Sequence, residues 1–148
     1  MLNRLQGVFK SLEEKNVSYL VIGGIAAVLH GVPRAPFDLD ILIDATHDNA
    51  KRLLEALDQA GLGTASLITA EEMLKNEITV FEDWVRIDAQ TRTPGIQFEQ
   101  AWKQHEVMEY REQRFYVVSR EDLIKAKKAS GSDVDMDDVR LLEQNEGG

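Results

Sequence analysis

The first third of the chain switches between helix-like and strand-like patterns of apolar residues. Apolar positions 2, 5, 9 and 12 fall on one helical face, which predicts an amphipathic helix over residues 2–15. The β-rich run VSYLVI at 17–22 predicts a strand. Gly23 and Gly24 follow it, and the segment IAAVLHG predicts a short helix that ends at Gly31.

The next pattern alternates before it becomes fully apolar. Residues 37–43 (FDLDILI) have this pattern, which is typical of a strand that enters a core. Apolar residues at helical spacing then predict a second amphipathic helix over 46–60, with Thr46 as its N-cap.

The remaining apolar segments are short. They predict a strand over 64–69, a strand over 77–90 that folds back as a hairpin at Glu82-Asp83, a helix near 98–102, and a hairpin of strands 105–110 and 113–118. Ser119 with Asp122 resembles a capping box and predicts the start of a helix. A last helix (MDDVRLLEQ) follows the polar segment SGSDVD.

These elements predict one α/β (α+β) domain over residues 1–148, in which helices pack on a small mixed β-sheet. Residues 1–95 would form the core of the domain. Residues 96–148 would add the hairpin and a C-terminal helical appendage. A chain of 148 residues is large enough to bury a substantial apolar core in one domain.

The composition limits which partners and which cellular compartment are expected for this protein. There are 17 basic and 26 acidic residues, and the net charge of −9 repels long polyanions, so duplex DNA is not expected as a partner. The absence of cysteine excludes disulfides and thiolate metal sites. No apolar run approaches the ~18 residues of a membrane span, so we expect a cytoplasmic protein without a membrane partner.

An acidic pair and a glycine pair carry the candidate chemistry. Asp38 and Asp40 are two residues apart on a predicted strand, so their side chains share one face at a Cα separation of about 7 Å. Two close carboxylates repel each other unless a cation such as Mg²⁺ lies between them. Gly23 and Gly24 lie between a strand and a helix, where bare backbone N–H groups attract phosphate.

Each of these signals also has a purely structural explanation. A lone Asp-x-Asp pair is common on exposed strand faces, and a glycine pair often serves only tight packing. Their combination within one short segment favours a site that binds a metal and a nucleotide. The second acidic run, Asp133, Asp135 and Asp137, is interpreted as a solvated helix start.

The segment VIGGIAAVLHGVPRAPFDLDILID resembles the first motif of DNA polymerase β-type nucleotidyltransferases. It is most similar to the bacterial minimal nucleotidyltransferases and the AbiEii-type proteins of toxin–antitoxin systems, whose pattern is GGxAxxxHGxxRxTxDxD. Eight residues of this chain fall on that pattern: Gly23, Gly24, Ala26, His30, Gly31, Arg34, Asp38 and Asp40.

The resemblance implies a polymerase β-like palm fold and a third carboxylate on a later strand. Asp88 in WVRIDAQ matches that carboxylate, and Asp83 is its rival at a predicted turn. The segment DLIKAKKASGSDVDMDDVRLLE resembles a looser C-terminal motif, in which either Lys125 or Lys127 matches the lysine and Asp135 the aspartate after it.

The implied activity is transfer of a nucleoside monophosphate from an NTP to a protein or RNA acceptor. The implied cofactor is Mg²⁺ or Mn²⁺ on Asp38, Asp40 and Asp88. Gly23, Gly24, Arg34 and either Lys125 or Lys127 are the expected nucleotide contacts, and a cognate toxin or antitoxin is a further expected partner.

Two departures from the family pattern support an alternative hypothesis. Pro36 replaces the usual threonine, and residues 132–134 (SDV) replace basic residues, so phosphate contacts would be weaker. The alternative is an inactive, antitoxin-like module that binds a nucleotide or a partner. Arg34 is expected to contact phosphate or Asp38, and His30 to cap its helix or bond a buried carbonyl.

Overall fold

The computed structural model describes residues 1–145, which form seven α-helices and six β-strands. The helices are α1 (Leu2–Glu14), α2 (Gly23–Leu29), α3 (His47–Gln59), α4 (Ala70–Lys75), α5 (Phe98–Lys103), α6 (Arg120–Ser130) and α7 (Asp133–Gln144). The strands are β1 (Tyr19–Ile22), β2 (Leu39–Ile43), β3 (Ile78–Glu82), β4 (Arg86–Gln90), β5 (Glu106–Tyr110) and β6 (Gln113–Val117). A 3-10 helix spans Gly63–Leu67.

All six strands form one mixed sheet in the order β3-β4-β2-β1-β6-β5. β2 pairs with β4 and β1 with β6 in parallel, and the other neighbours are antiparallel. The mixed α/β fold predicted from the sequence is therefore confirmed, and the hairpin β5–β6 joins the same sheet beside β1. No helix in residues 1–145 is long and apolar enough to cross a membrane.

One face of the sheet is closed by α1 and α3. Phe9 of α1 stacks on Phe115 of β6, with the ring centroids 4.6 Å apart, and lies 6.3 Å from the ring of Tyr19 on β1. Leu53 and Leu57 of α3 are fully buried in the same core. On the opposite face, α2 packs against β1 and β2 and also contacts α6, and β2 and β4 carry the polar side chains described below on this same face.

The strand predicted over 64–69 is wrong. This segment forms the 3-10 helix and then leads into α4, which the sequence pattern did not predict. Thr69 starts α4 with a complete capping box, since its side chain accepts from the Glu72 N–H and the Glu72 carboxylate accepts from the Thr69 N–H. Ala65 is buried whereas Leu67 is 81% exposed, so the apolar residues here do not line one strand face.

Other local predictions are confirmed. The Thr46 side chain accepts a hydrogen bond from the Asn49 N–H and caps α3, and Ser119 caps α6 through the Asp122 N–H. The Asp122 carboxylate accepts from Gln104 instead of completing the capping box. The hairpin turn lies at 83–85, between β3 and β4.

Candidate active site

Asp40 and Asp88 lie side by side on neighbouring parallel strands. β2 and β4 pair in a register that sets Asp40 opposite Asp88, so both side chains leave the same face of the sheet. Asp38 lies two residues before Asp40, in the bend that precedes β2 rather than in the strand. The register therefore brings the acidic pair predicted from the sequence together with Asp88.

Burial and mutual repulsion perturb this carboxyl pair. The pKa of Asp40 is raised to about 7, mainly because burial disfavours its charged form and then because Asp88 and Asp38 add negative charge. The Lys127 ammonium opposes this effect and lowers the pKa of Asp40. Asp40 thus holds a proton below about pH 7 when no further cation is bound.

Arg86 is a functional candidate that the sequence interpretation missed. Its Nε lies 2.9 Å from Asp88 Oδ1 and 3.6 Å from Asp38 Oδ2, so the guanidinium bridges two of the three carboxylates. Arg86 is two residues before Asp88 on β4 and shares its sheet face. The Arg-x-Asp spacing in WVRIDAQ was a signal that could have identified it.

Gly23 leaves room for the Asp40 carboxylate. It has a left-handed φ of +68°, and an added Cβ would lie 2.2 Å from Asp40 Oδ2. This contact follows from the pairing of Ile22 with Asp40, because Gly23 is the next residue along the chain. The helix α2 begins at Gly23 itself, so the glycine pair forms its first turn rather than preceding it.

A pocket of about 410 Å³ opens beside Asp40 and the glycine pair. Lys127 of α6 lines it and is only 5% exposed. Its Nζ donates to Asp135 and to Asp138, each at 2.9 Å. Arg34 also lines the pocket and donates to Asp138 at 2.6 Å, so Asp138 holds both cations.

Asp138 was missed at the sequence level, and the prediction that Arg34 contacts Asp38 is not supported because its partner is Asp138. Asp138 is buried in α7 next to Asp137, which is exposed and pairs with Arg140. Asp138 lies in a run of acidic residues, which does not indicate that one of them is buried. Only its helical spacing relative to the buried Val139 and Leu142 indicated that Asp138 faces inward.

The structure distinguishes the two lysine candidates and the two candidates for the third carboxylate. Lys125 is 63% exposed and lines a separate polar pocket, 3.7 Å from Asp122. Asp83 lies in the β3–β4 turn rather than beside Asp40, and its carboxylate accepts a hydrogen bond from the Trp84 N–H. His30 bonds the Val118 carbonyl oxygen at 2.9 Å, as expected for a structural histidine.

A family profile described as "Nucleotidyltransferase of unknown function (DUF6036)" matches residues 2–143. The chain belongs to this nucleotidyltransferase family. It is therefore a transferase by family membership, as the first motif had indicated. No curated protein matches the sequence.

Two solved structures share this fold at low sequence identity. One is a candidate nucleotidyltransferase of Thermotoga maritima, with a TM-score of 0.62 and 16% identity over 98% of this chain and 92% of that chain. The other is an antigenic nucleotidyltransferase-like protein of Paracoccidioides brasiliensis, with a TM-score of 0.58 and 16% identity over 93% of this chain and 72% of that one. Both confirm the fold predicted from the resemblance.

Nucleotidyltransferases use divalent metal, and the carboxyl pair fits such an ion. Asp40 and Asp88 supply the hard oxygen donors that Mg²⁺ prefers, and Gly23 keeps the space around Asp40 clear of side-chain atoms. Within residues 1–145, no group of three or more His, Cys, Asp or Glu side chains closes around a single metal position. Arg86 pairs with Asp38 and Asp88, so its guanidinium competes with a metal ion for two of the three carboxylates.

Proposed function

We propose that this protein transfers a nucleoside monophosphate from an NTP to a hydroxyl group of a protein or RNA acceptor. One observation carries the proposal: the Asp40–Asp88 pair lies in register beside a pocket that also contains Lys127 and Arg34. Carboxylates for a metal and cations for phosphate thus adjoin each other, as nucleotidyl transfer requires.

Each side chain has a proposed role. Asp38, Asp40 and Asp88 would hold Mg²⁺ or Mn²⁺, which when bound neutralises phosphate charge and polarises the α-phosphate. Lys127 and Arg34 would bind the triphosphate. We retain Gly23 and Gly24 as nucleotide contacts because both line the pocket at the first turn of α2.

The transfer exchanges one phosphorus–oxygen bond for another. The acceptor hydroxyl oxygen bonds to the α-phosphorus, the bond from that phosphorus to the α,β-bridging oxygen breaks, and pyrophosphate leaves. The hydroxyl proton passes to a carboxylate, which we assign to Asp88.

A second candidate function is an inactive, antitoxin-like module that binds a nucleotide or a partner protein. This second function is favoured because the cationic side chains of the site are already paired with carboxylates of the protein. Arg86 bridges two of the carboxylates, and Lys127 is already neutralised by Asp135 and Asp138. Its partner would be a cognate toxin or antitoxin, which rests on the sequence resemblance alone.

Calorimetric titration with ATP and GTP tests the nucleotide site. Without a divalent cation the carboxylates repel the triphosphate, and Mg²⁺ or Mn²⁺ reverses the sign of that interaction. We therefore expect weak binding in EDTA and at least about tenfold tighter binding with metal, a difference of about 1.4 kcal/mol. Equal affinity in EDTA and in Mg²⁺ would contradict a metal-dependent pocket.

A further inference from the structure

A second cleft, of about 280 Å³, is lined in part by the residues that directly precede Asp38 in the chain. Its walls come from the start of α1, from α2, from the segment before β2 and from the turn before β4. Its lining residues include Leu5, Ile25, Pro36, Phe37, Val85 and Arg4. We call this feature the apolar cleft.

Along β2 and β4, the carboxylates follow residues that line the apolar cleft and lie at or before residues that line the nucleotide pocket. Val85 precedes β4 and lines the apolar cleft, whereas Gln90 ends β4 and lines the nucleotide pocket. Asp88 lies between them. Five residues of strand span about 17 Å, so the two cavities adjoin opposite ends of the strand that carries Asp88. A two-substrate transfer needs this kind of arrangement, with one substrate on each side of the reacting phosphorus.

The chemistry of the apolar cleft favours an apolar group over a nucleotide. Arg4 supplies the only charged side chain among its lining residues in the described part of the chain, and its guanidinium already donates to the Trp84 carbonyl oxygen. A nucleobase edge or a phosphate buried there would lack polar partners, which is costly. An apolar or aromatic side chain needs none.

Phe37 gives the clearest indication of a partner. Its side chain is 92% exposed, although it lies directly beside Asp38. Exposed large apolar residues at a cleft next to arginine are typical of protein-binding surfaces, in which aromatic residues and Arg are enriched. The net charge of −9 also opposes association with an RNA polyanion.

We infer that the apolar cleft receives an apolar or aromatic side chain of a polypeptide acceptor, which brings a neighbouring hydroxyl group of that polypeptide to Asp38. This inference rests on the proposed nucleotidyl transfer and specifies its acceptor as a protein. Phe37 would cover the inserted side chain on its outer side, and Ile25 and Val85 would line the floor of the cleft.

Binding is tested first without any transfer reaction, by amide NMR with two probes. N-acetylphenylalaninamide represents a polypeptide side chain, and the dinucleotide UpU represents an RNA end. We expect N-acetylphenylalaninamide to shift the amides of Ile25, Phe37 and Val85, with at least about fivefold weaker binding in Phe37→Ala. Shifts of these amides by UpU alone, or by neither probe, would overturn the inference.

The matched control is Leu67→Ala, which removes another strongly exposed apolar side chain, on the 3-10 helix outside both cavities. In a native-host lysate with α-labelled NTP, we expect label on protein, at least tenfold less of it with Phe37→Ala, and wild-type levels with Leu67→Ala. RNase-sensitive label, or equal labelling by Phe37→Ala, would overturn the inference. Probe binding in the cleft without any transfer would support the cleft and contradict the proposed reaction.

Discussion

Replacing Asp40 with asparagine should stabilise the protein, and the gain should grow with pH. Burial beside Asp88 and Asp38 raises the pKa of Asp40 from 3.8 to about 7. At about 1.4 kcal/mol per pKa unit, ionising this group in the folded state costs about 4 kcal/mol. Asparagine keeps the shape of the side chain, cannot ionise, and can donate a hydrogen bond to the Asp88 carboxylate.

The direction of the pH dependence follows from proton binding. The folded state binds the proton more tightly than the unfolded state, so wild-type stability falls as the pH rises from about 4 to about 7. Relative to wild type, Asp40→Asn should therefore gain about 4 kcal/mol at pH 8 and less than about 2 kcal/mol at pH 5. Below pH 4 the difference should vanish.

Urea denaturation at pH 5 and pH 8, in EDTA, measures both differences. Asp58→Asn is the control, because Asp58 is exposed on α3, and it should change stability by less than about 0.5 kcal/mol at either pH. Mg²⁺ should stabilise the wild type at pH 8 and leave Asp40→Asn unaffected. A gain that is equal at both pH values, or a loss at pH 8, would refute the repulsion argument.

Three further substitutions have defined expected outcomes. Gly23→Ala should lose about 2–3 kcal/mol of stability in urea denaturation, because its Cβ meets a carboxylate oxygen at a left-handed φ, whereas Gly7→Ala, with nothing within 4 Å in α1, should gain about 0.5–1 kcal/mol. Lys127→Met should weaken MgATP binding by at least about tenfold in calorimetry, and equal losses with Lys125→Met would contradict our assignment of the pocket. Arg86→Gln should tighten Mn²⁺ binding by roughly tenfold, since it removes a cation that competes for two carboxylates, and weaker Mn²⁺ binding would show that this arginine supports the metal site.

Local rules explain which parts of the fold could be predicted from the sequence. The helix caps at Thr46 and Ser119 depend on residues three positions apart, and the turn after Glu82 interrupts one alternating run. Residues close together in the sequence are therefore enough to predict these features. The strand prediction for residues 64–69 was wrong because a short apolar run is compatible with a strand or a helix. The Thr69–Glu72 capping box decided the outcome.

The candidate site was only partly predictable because its key contacts join distant segments. Strand alternation predicted that Asp38 and Asp40 would share one face, but only the parallel pairing of β2 with β4 puts Asp40 opposite Asp88. Asp138 lies on α7, Lys127 on α6 and Arg34 in the segment before β2, and no spacing rule links the three. Such contacts depend on tertiary packing, which a single sequence does not reveal.

The proposed nucleotidyl transfer requires a metal ion held by Asp38, Asp40 and Asp88. The decisive assay incubates wild type and the double variant Asp38→Asn, Asp40→Asn with α-labelled NTP, Mg²⁺ and native-host lysate. The wild type should transfer label and the double variant should lose transfer by at least about 10³-fold, because asparagine keeps the shape but not the charge that holds metal. The contradicting result is a wild type that labels nothing in the lysate yet binds a partner protein as tightly as the double variant does.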